Sequence, residues 1–195
     1  MTGVRADEKS PDRLIALSDG IFAIAMTLLV LDVSVPAGLD PDRFHDAVGD
    51  WLPKLGAYAL SFTILAGFWR DHRRIVQLAQ RVTPLSERLA LAGLGVIALV
   101  PFPTAMLSEY ASEPLSVALY ALTIAVVDLL QLALFLSVRR HPHTSRGIAA
   151  DLASTILVFG ATVPIAFFVS PVAAMWSWLA LAPLKMAVGR RYATG

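Results

Sequence analysis

The 195-residue sequence contains no cysteine and few charged residues. The lack of cysteine excludes disulfide frameworks, iron–sulfur clusters, thiolate zinc sites and cysteine nucleophiles. Charged residues make up 16% and apolar residues 56% of the chain, whereas a soluble domain has about 25% and about 45–50%. The net charge of +1 also argues against a concentrated basic surface for nucleic acid. This composition, with a mean hydropathy of +0.65, is typical of a small polytopic membrane protein.

Six apolar segments are long enough to cross a membrane, which takes about 20 mostly apolar residues. They are Leu14–Val35, Trp51–Trp69, Leu89–Ser108, Leu115–Val138, Leu152–Val169 and Pro171–Val188. The last two come from one long uncharged run that Pro171 divides, because proline ends or kinks a helix. The sequence therefore predicts an all-α fold with six transmembrane helices in a single domain over residues 1–195.

The basic residues between these segments predict how the chain is oriented. All of the 16 Lys and Arg residues except Arg43 and Lys54 lie in segments that are cytoplasmic if the N-terminus is inside. Every loop then obeys the positive-inside rule, and we expect both termini in the cytoplasm. The first segment is expected to be a span and not a cleaved signal peptide, because it is long and carries Asp19 and Asp32.

The first segment has one face that consists only of uncharged residues. At 100° per residue, a narrow stripe contains Leu17, Gly20, Ile24, Leu28 and Leu31. Asp19 falls on the opposite side of the helix, where a neighbouring helix would have to satisfy its carboxylate. The residues alone leave the stripe open to ordinary helix packing, and Asp19 to the role of a buried polar anchor.

The second segment ends with Trp69 and is followed by Arg70 and His72. This order is typical of an interfacial aromatic belt followed by the cytoplasmic basic cluster. A second interpretation is a contact in which Trp69 and His72 meet Ser18 and Asp19, because both pairs lie near the cytoplasmic ends of adjacent antiparallel spans.

Further polar and special residues carry weaker signals. Pro101 and Pro103 predict a bend in the third segment, and Asp128 in the fourth either pairs across helices or relays protons. The pair His141 and His143 is interpreted as part of a basic loop and not as a metal site. No catalytic motif of the zinc-protease, serine-hydrolase or Walker type is present, so an enzyme is not expected.

The stretch Arg13-x-x-x-Leu17-Ser18-Asp19 resembles the first-helix signature of the transmembrane protein 175 family of potassium channels, which has Phe where this chain has Leu17. The resemblance extends to Phe68-Trp69-x-x-His72 and to Pro101-Phe102-Pro103-Thr104, whereas the last three segments match only in number and hydropathy. It implies a bacterial six-helix subunit that assembles as a homotetramer in the plasma membrane. The pore of such a channel is lined by the first helix.

The same resemblance implies roles for individual residues. The aliphatic constriction of the family falls on Ile24, followed outward by Leu28 and Leu31. Asp32 and the acidic outer loops would attract cations. A cluster of polar side chains away from the ion path would hold the pore helix against its neighbour. It consists of Arg13, Ser18, Asp19, Trp69 and His72. Neither a resident metal nor a cofactor is implied.

The expected function is a potassium-permeable channel with passive conduction. The chain lacks the Thr-Val-Gly-Tyr-Gly filter, so a narrow aliphatic ring would favour K⁺ and similar weakly hydrated monovalent cations over Na⁺. The alternative is a proton-coupled secondary transporter that uses Asp19, Asp128 and His72, although no clear internal repeat supports it. A third option is a membrane-embedded interaction subunit without transport of its own.

Overall fold

The structure is a computed structural model that describes residues 11–33, 41–79, 81–138 and 146–178. Within these ranges the chain consists of helices and short turns, which confirms the predicted all-α class. A single turn of 3-10 helix, Leu29–Asp32, continues the first helix. The α-helices in chain order are α1 (Pro11–Leu28), α2 (Pro41–Leu78), α3 (Pro84–Leu99), α4 (Pro101–Glu109), α5 (Pro114–Val138), α6 (Arg146–Phe168) and α7 (Pro171–Ser177).

Four of the helical segments are long and apolar enough to cross a membrane. They are Pro11–Leu31, Pro84–Glu109, Pro114–Val138 and Gly147–Phe168, and they correspond to the predicted first, third, fourth and fifth spans. α2 does not reach the same hydropathy, because Lys54 and other polar residues interrupt or flank its apolar section. The sixth predicted span begins with α7, and residues 179–188 lie outside the described ranges.

α2 is much longer than the span Trp51–Trp69 that hydropathy predicts within it. Its 38 residues extend about 57 Å at 1.5 Å per residue, whereas the hydrocarbon core of a bilayer is about 30 Å thick. The charged ends of α2 are therefore expected to lie outside the hydrocarbon. Hydropathy misses the C-terminal extension because Arg, which is frequent there, continues a helix about as readily as apolar residues do.

The predicted bend in the third span is a break in helical hydrogen bonding at Val100. Pro101 and Pro103 have no N–H to donate to the carbonyls four residues earlier. The carbonyl of Ile97 instead accepts from the Val100 N–H at 3.1 Å, in the tighter 3-10 pattern. α4 then continues from Pro101, with the Thr104 N–H donating to the Val100 carbonyl.

Three buried hydroxyl groups join α2, α4 and α5 beside this break. Ser61 Oγ lies 3.0 Å from Tyr120 Oη and 2.9 Å from Thr104 Oγ1. All three side chains are fully or almost fully buried. Buried polar groups are costly unless they are paired, so these contacts fix the relative positions of the three helices.

The apolar core lies between the helices and forms two clusters of buried side chains. The larger cluster includes Phe22 of α1 and Tyr120 of α5, whose ring lies 5.2 Å from that of Trp178. The smaller cluster includes Leu14 of α1, packed with side chains of α2, α3, α5 and α6. α1 therefore contributes buried residues to both clusters, which fixes which of its faces points outward.

Candidate functional site: the outer face of the first helix

The uncharged stripe predicted in the first helix coincides with the exposed face of α1. Ile24 is 61% and Leu31 72% exposed, and Leu17, Gly20 and Leu28 are also exposed. The buried residues of α1 lie on one neighbouring side of the helix, about 80–160° from Ile24: Leu14, Ser18, Phe22 and Ala25. Within the described part of the chain, the stripe is therefore not buried by packing inside one protomer. Its assignment as a pore lining stays a prediction.

An apolar face of this length requires an apolar or dehydrated neighbour. This face is not expected to lie against bulk water, because α1 is one of the candidate membrane spans. The face must contact lipid, another protein surface or a pore that several protomers enclose. No charged side chain interrupts it between Leu17 and Leu31.

Thr27 is the polar side chain on the exposed side of α1 that the sequence analysis missed. It is exposed, and its Oγ1 donates to the carbonyl of Ile24 at 2.8 Å. With its proton used in this way, the hydroxyl oxygen presents lone pairs outward and acts as an acceptor. A helical wheel that counts only charged and aliphatic residues does not detect such a group.

Asp32 closes the 3-10 turn after α1, as the last residue of Leu29–Asp32. Its side chain lies outside what the structure describes, so its predicted role in attracting cations stays a prediction. Within the turn Leu29 is buried, whereas Val30 and Leu31 are exposed. The exposed face of α1 therefore continues to Leu31 in the 3-10 turn.

The buried side of α1 is fastened to α2 by two adjacent polar contacts. His72 Nε2 lies 2.9 Å from Ser18 Oγ, and Trp69 Nε1 donates to Asp19 Oδ1 at 2.7 Å. Trp69 and His72 thus meet Ser18 and Asp19, as the second interpretation in the sequence analysis predicted from their common membrane depth. The bond to Asp19 is short, as expected for a donor on a carboxylate. Arg13 lies at the exposed start of α1, and within the described ranges no hydrogen bond or ion pair joins it to the other four.

The proton positions in the Ser18–His72 contact follow from the second partner of Ser18. Its hydroxyl donates to the carbonyl of Leu14 at 2.7 Å, and a hydroxyl has one proton. His72 Nε2 therefore carries the proton that is donated to Ser18 Oγ. His72 lies three residues beyond Trp69, the end of the predicted span, and it is buried. Burial lowers the pKa of His72 to about 4, although the Asp19 charge raises it, so the ring is neutral at pH 7.

Asp128 is buried on α5 and lies one turn before Gln131. The amide of Gln131 donates to the carbonyl of Phe68 on α2 over a long 3.4 Å. Gln131 thus places a polar group in the buried contact between α5 and α2. Among the described residues, no group of three or more His, Asp or Glu side chains is arranged to hold a metal ion.

Together these features define a multi-pass helical membrane protein whose first helix is anchored by polar contacts on one side and presents an aliphatic face on the other. A sequence profile described as "Endosomal/lysosomal potassium channel TMEM175" matches residues 13–101, which contain α1, α2 and α3. The chain belongs to the TMEM175 family, and thus to a family of ion channels and not of enzymes.

Relatives from bacteria support this assignment. A protein named as a potassium channel from Streptomyces collinus is 38% identical over 135 residues, which are 67% of this chain and 66% of the relative. One from Chamaesiphon minutus, also named as a potassium channel, is 36% identical over 118 residues, or 57% of this chain and 56% of the relative. The aligned part thus spans slightly under two thirds and just over half of these relatives' lengths.

The fold is similar to that of a solved structure. The crystal structure of a lysosomal potassium-selective channel TMEM175 homolog from Chamaesiphon minutus superposes with a TM-score of 0.76 at 24% sequence identity. The superposition covers 93% of this chain and 97% of that one. It shows that the two chains share a fold, including the helices beyond the sequence profile.

Proposed function

We propose that the chain is a subunit of a potassium-permeable channel that conducts passively through a pore lined by α1. The observation that carries this proposal is the exposed aliphatic face of Ile24, Leu28 and Leu31 on the helix with the family motif. The bacterial relatives named as potassium channels support the choice of ion. The alternative explanation for the stripe, ordinary helix packing, would have to occur between protomers, because the face is exposed within one.

The pore is proposed to form between protomers and not within one. The face in question lies on the outside of the protomer, whose interior is filled by the two clusters of buried side chains. Several copies must therefore turn α1 towards a common axis. The family resemblance implies four copies, and a closed symmetric ring is the usual way in which identical subunits enclose an axis.

Selectivity is proposed to arise at the ring that Ile24 forms in the assembly. A narrow aliphatic ring offers no ligands, so a cation must keep or lose its water there. K⁺ holds its water less tightly than Na⁺ does and passes at a lower cost. The outward-facing oxygen of Thr27, one turn away, is proposed to accept hydrogen bonds from this water or to contact the cation.

The polar contacts between α1 and α2 are proposed to hold the pore helix and not to carry ions. Ser18 and Asp19 lie on the buried or half-buried side of α1, and their side chains are already engaged by His72 and Trp69. We propose the same supporting role for Arg13. The transporter alternative would instead use Asp19 and His72 to relay protons, which the flux measurement below tests.

The membrane placement that completes the proposal has six spans with both termini in the cytoplasm of a bacterium, in its plasma membrane. The four apolar helical segments support it, as does the basic end of α2 after Trp69. The second span would use the apolar part of α2, and the sixth would continue α7 to Val188. Asp32 would lie at the outer mouth and attract cations.

Recording from the purified protein in planar bilayers tests this function. With K⁺ on one side and Na⁺ on the other, a passive channel gives currents whose reversal potential reports K⁺ over Na⁺ permeability. Native mass spectrometry of the same preparation counts the subunits, and four are expected. A flux that saturates, requires a pH gradient and occurs in a monomer would contradict the channel and favour the transporter.

A further inference from the structure

The exposed face of α2 changes from apolar to basic where the predicted span ends at Trp69. Leu55 and Phe62 are exposed within the span, and Arg70, Arg73 and Arg74 are exposed just beyond it. At 100° per residue, all of them lie within about 120° of the helix circumference. α2 thus has one continuous outer face that is apolar before Trp69 and basic after it.

The three arginines lie opposite the side of α2 that packs into the protein. The buried residues around them are Asp71, His72, Ile75 and Val76. Arg70 falls close to 180° from Ser61, a fully buried residue of the same helix. The guanidinium groups therefore point away from the helices α1 and α5 that cover the other side.

No carboxylate of the protein neutralises these charges in the described part of the chain. None of the three guanidinium groups has an acidic side chain within ion-pair distance there, although Lys54 near the other end of α2 pairs with Glu109. Arg73 instead lies over the ring of Trp69, with its Cζ 5.7 Å from the ring centroid. Three like charges within two helical turns repel one another, so an anion that bridges them lowers the free energy of this surface.

The surroundings of the arginines match an amphipathic anion. Arginine forms bidentate hydrogen bonds with phosphate oxygens, and three forks on one helix face can share one or two phosphate groups. Leu55 and Phe62 extend the same face into the hydrocarbon, where an acyl chain lies. The face is unsuited to a cation pathway, because a ring of such arginines would repel K⁺.

We propose that Arg70, Arg73 and Arg74 bind the phosphate headgroup of an anionic phospholipid whose acyl chain lies along Leu55 and Phe62. The proposal rests on the membrane placement described above, with Trp69 at the cytoplasmic boundary. It does not depend on which ion the channel conducts.

The bound headgroup is connected to the pore helix by a short series of contacts. Arg73 stacks on Trp69, and Trp69 donates to Asp19 of α1. A phosphate that holds Arg73 in place also holds the Trp69 ring against which it stacks. Ion conduction is therefore expected to rise with the fraction of anionic lipid in the membrane.

Native mass spectrometry of the delipidated full-length assembly tests the binding. Phosphatidylglycerol and phosphatidylcholine with identical acyl chains are titrated separately into the wild type, and we expect tighter binding of phosphatidylglycerol. The variant Arg70→Gln/Arg73→Gln/Arg74→Gln should weaken it roughly a hundredfold, at about 1 kcal/mol per basic residue. Replacement of all three by Lys should keep the preference, as should the control Lys54→Gln on the same helix.

Three results would overturn the proposal. One is equal affinity of the wild type for the two lipids, which would also follow if an acidic segment of another copy covered the arginines. Another is unchanged phosphatidylglycerol binding by the Gln variant. The third is full displacement of the lipid by millimolar inorganic phosphate, which would identify a free anion as the ligand. If the triple variant does not fold, the proposal is tested by the wild-type titration and by the loss of phosphatidylglycerol affinity in the single variant Arg70→Gln.

The binding test and the test of the channel function fail independently. Lipid binding is measured without ion flux, so a non-conducting protein can still show the phosphatidylglycerol preference. Conversely, a channel that conducts K⁺ equally well in phosphatidylcholine and in mixed membranes contradicts the predicted effect of the lipid on conduction and leaves the pore assignment intact.

Discussion

The hydrogen bond from Trp69 to Asp19 gives the most quantitative prediction about how the first helix is held. The Nε1–Oδ1 distance is 2.7 Å, and the acceptor is half-buried between α1 and α2. Hydrogen bonds to charged groups contribute about 1.5–3 kcal/mol, so we expect a coupling energy of about 2 kcal/mol. Trp69→Phe removes the donor while an aromatic ring remains beneath Arg73.

A double-mutant cycle isolates this energy. The free energy of unfolding is measured by titration with dodecyl sulfate in mixed micelles for the wild type, Trp69→Phe, Asp19→Ala and the double variant. The matched control is Trp176→Phe, an exposed tryptophan of α7, which should change stability by no more than about 0.5 kcal/mol. A coupling energy below about 0.5 kcal/mol between Trp69 and Asp19 would refute the proposal that this contact anchors the pore helix.

Three further predictions concern other parts of the structure. Because the pKa of His72 falls to about 4 from 6.5, the unfolded chain takes up a proton first on acidification, and stability should drop by up to about 3 kcal/mol between pH 6.5 and 4. Thermal unfolding across this range should show less pH dependence in His72→Gln. Ser61→Ala, which leaves the buried Tyr120 hydroxyl without its partner, should cost about 1–3 kcal/mol in the same assay, and less in a Tyr120→Phe background. Thr27→Val should lower the single-channel K⁺ conductance, since it removes the outward-facing oxygen and keeps the shape of the side chain.

Which residues share the uncharged stripe of α1 could be predicted from the sequence because this depends on one helix alone, whereas the exposure of the stripe depends on how α1 packs. The period of 3.6 residues fixes which side chains share a face, whatever the neighbours are. The meeting of Ser18 and Asp19 with Trp69 and His72 was suggested by their common membrane depth. The donor and acceptor in the contact between Ser18 and His72 could not be predicted. They depend on the second hydrogen bond of Ser18, which its hydroxyl donates to the Leu14 carbonyl.

Other features could not be predicted, for physical reasons that differ. The full length of α2 could not be predicted because hydropathy detects only the part of a helix that lies in hydrocarbon. The helix itself continues as long as its backbone hydrogen bonds are made. The contacts among Ser61, Thr104 and Tyr120 depend on how three helices pack, and each hydroxyl alone has no distinguishing pattern. The number of subunits belongs to contacts between chains, which neither the sequence period nor a single protomer contains.

The most direct test of the central claim is the reversal potential of Ile24→Ala under K⁺-against-Na⁺ bi-ionic conditions. A smaller side chain widens the proposed aliphatic ring, so cations keep more water and the K⁺ to Na⁺ permeability ratio should fall towards one. Ile24→Asn should also change the ratio, because it brings a polar ligand into the ring. Leu157→Ala, at a 71% exposed leucine of α6, serves as the control and should keep the wild-type ratio. An unchanged ratio in both Ile24 variants would contradict the assignment of the selective constriction to Ile24 of α1.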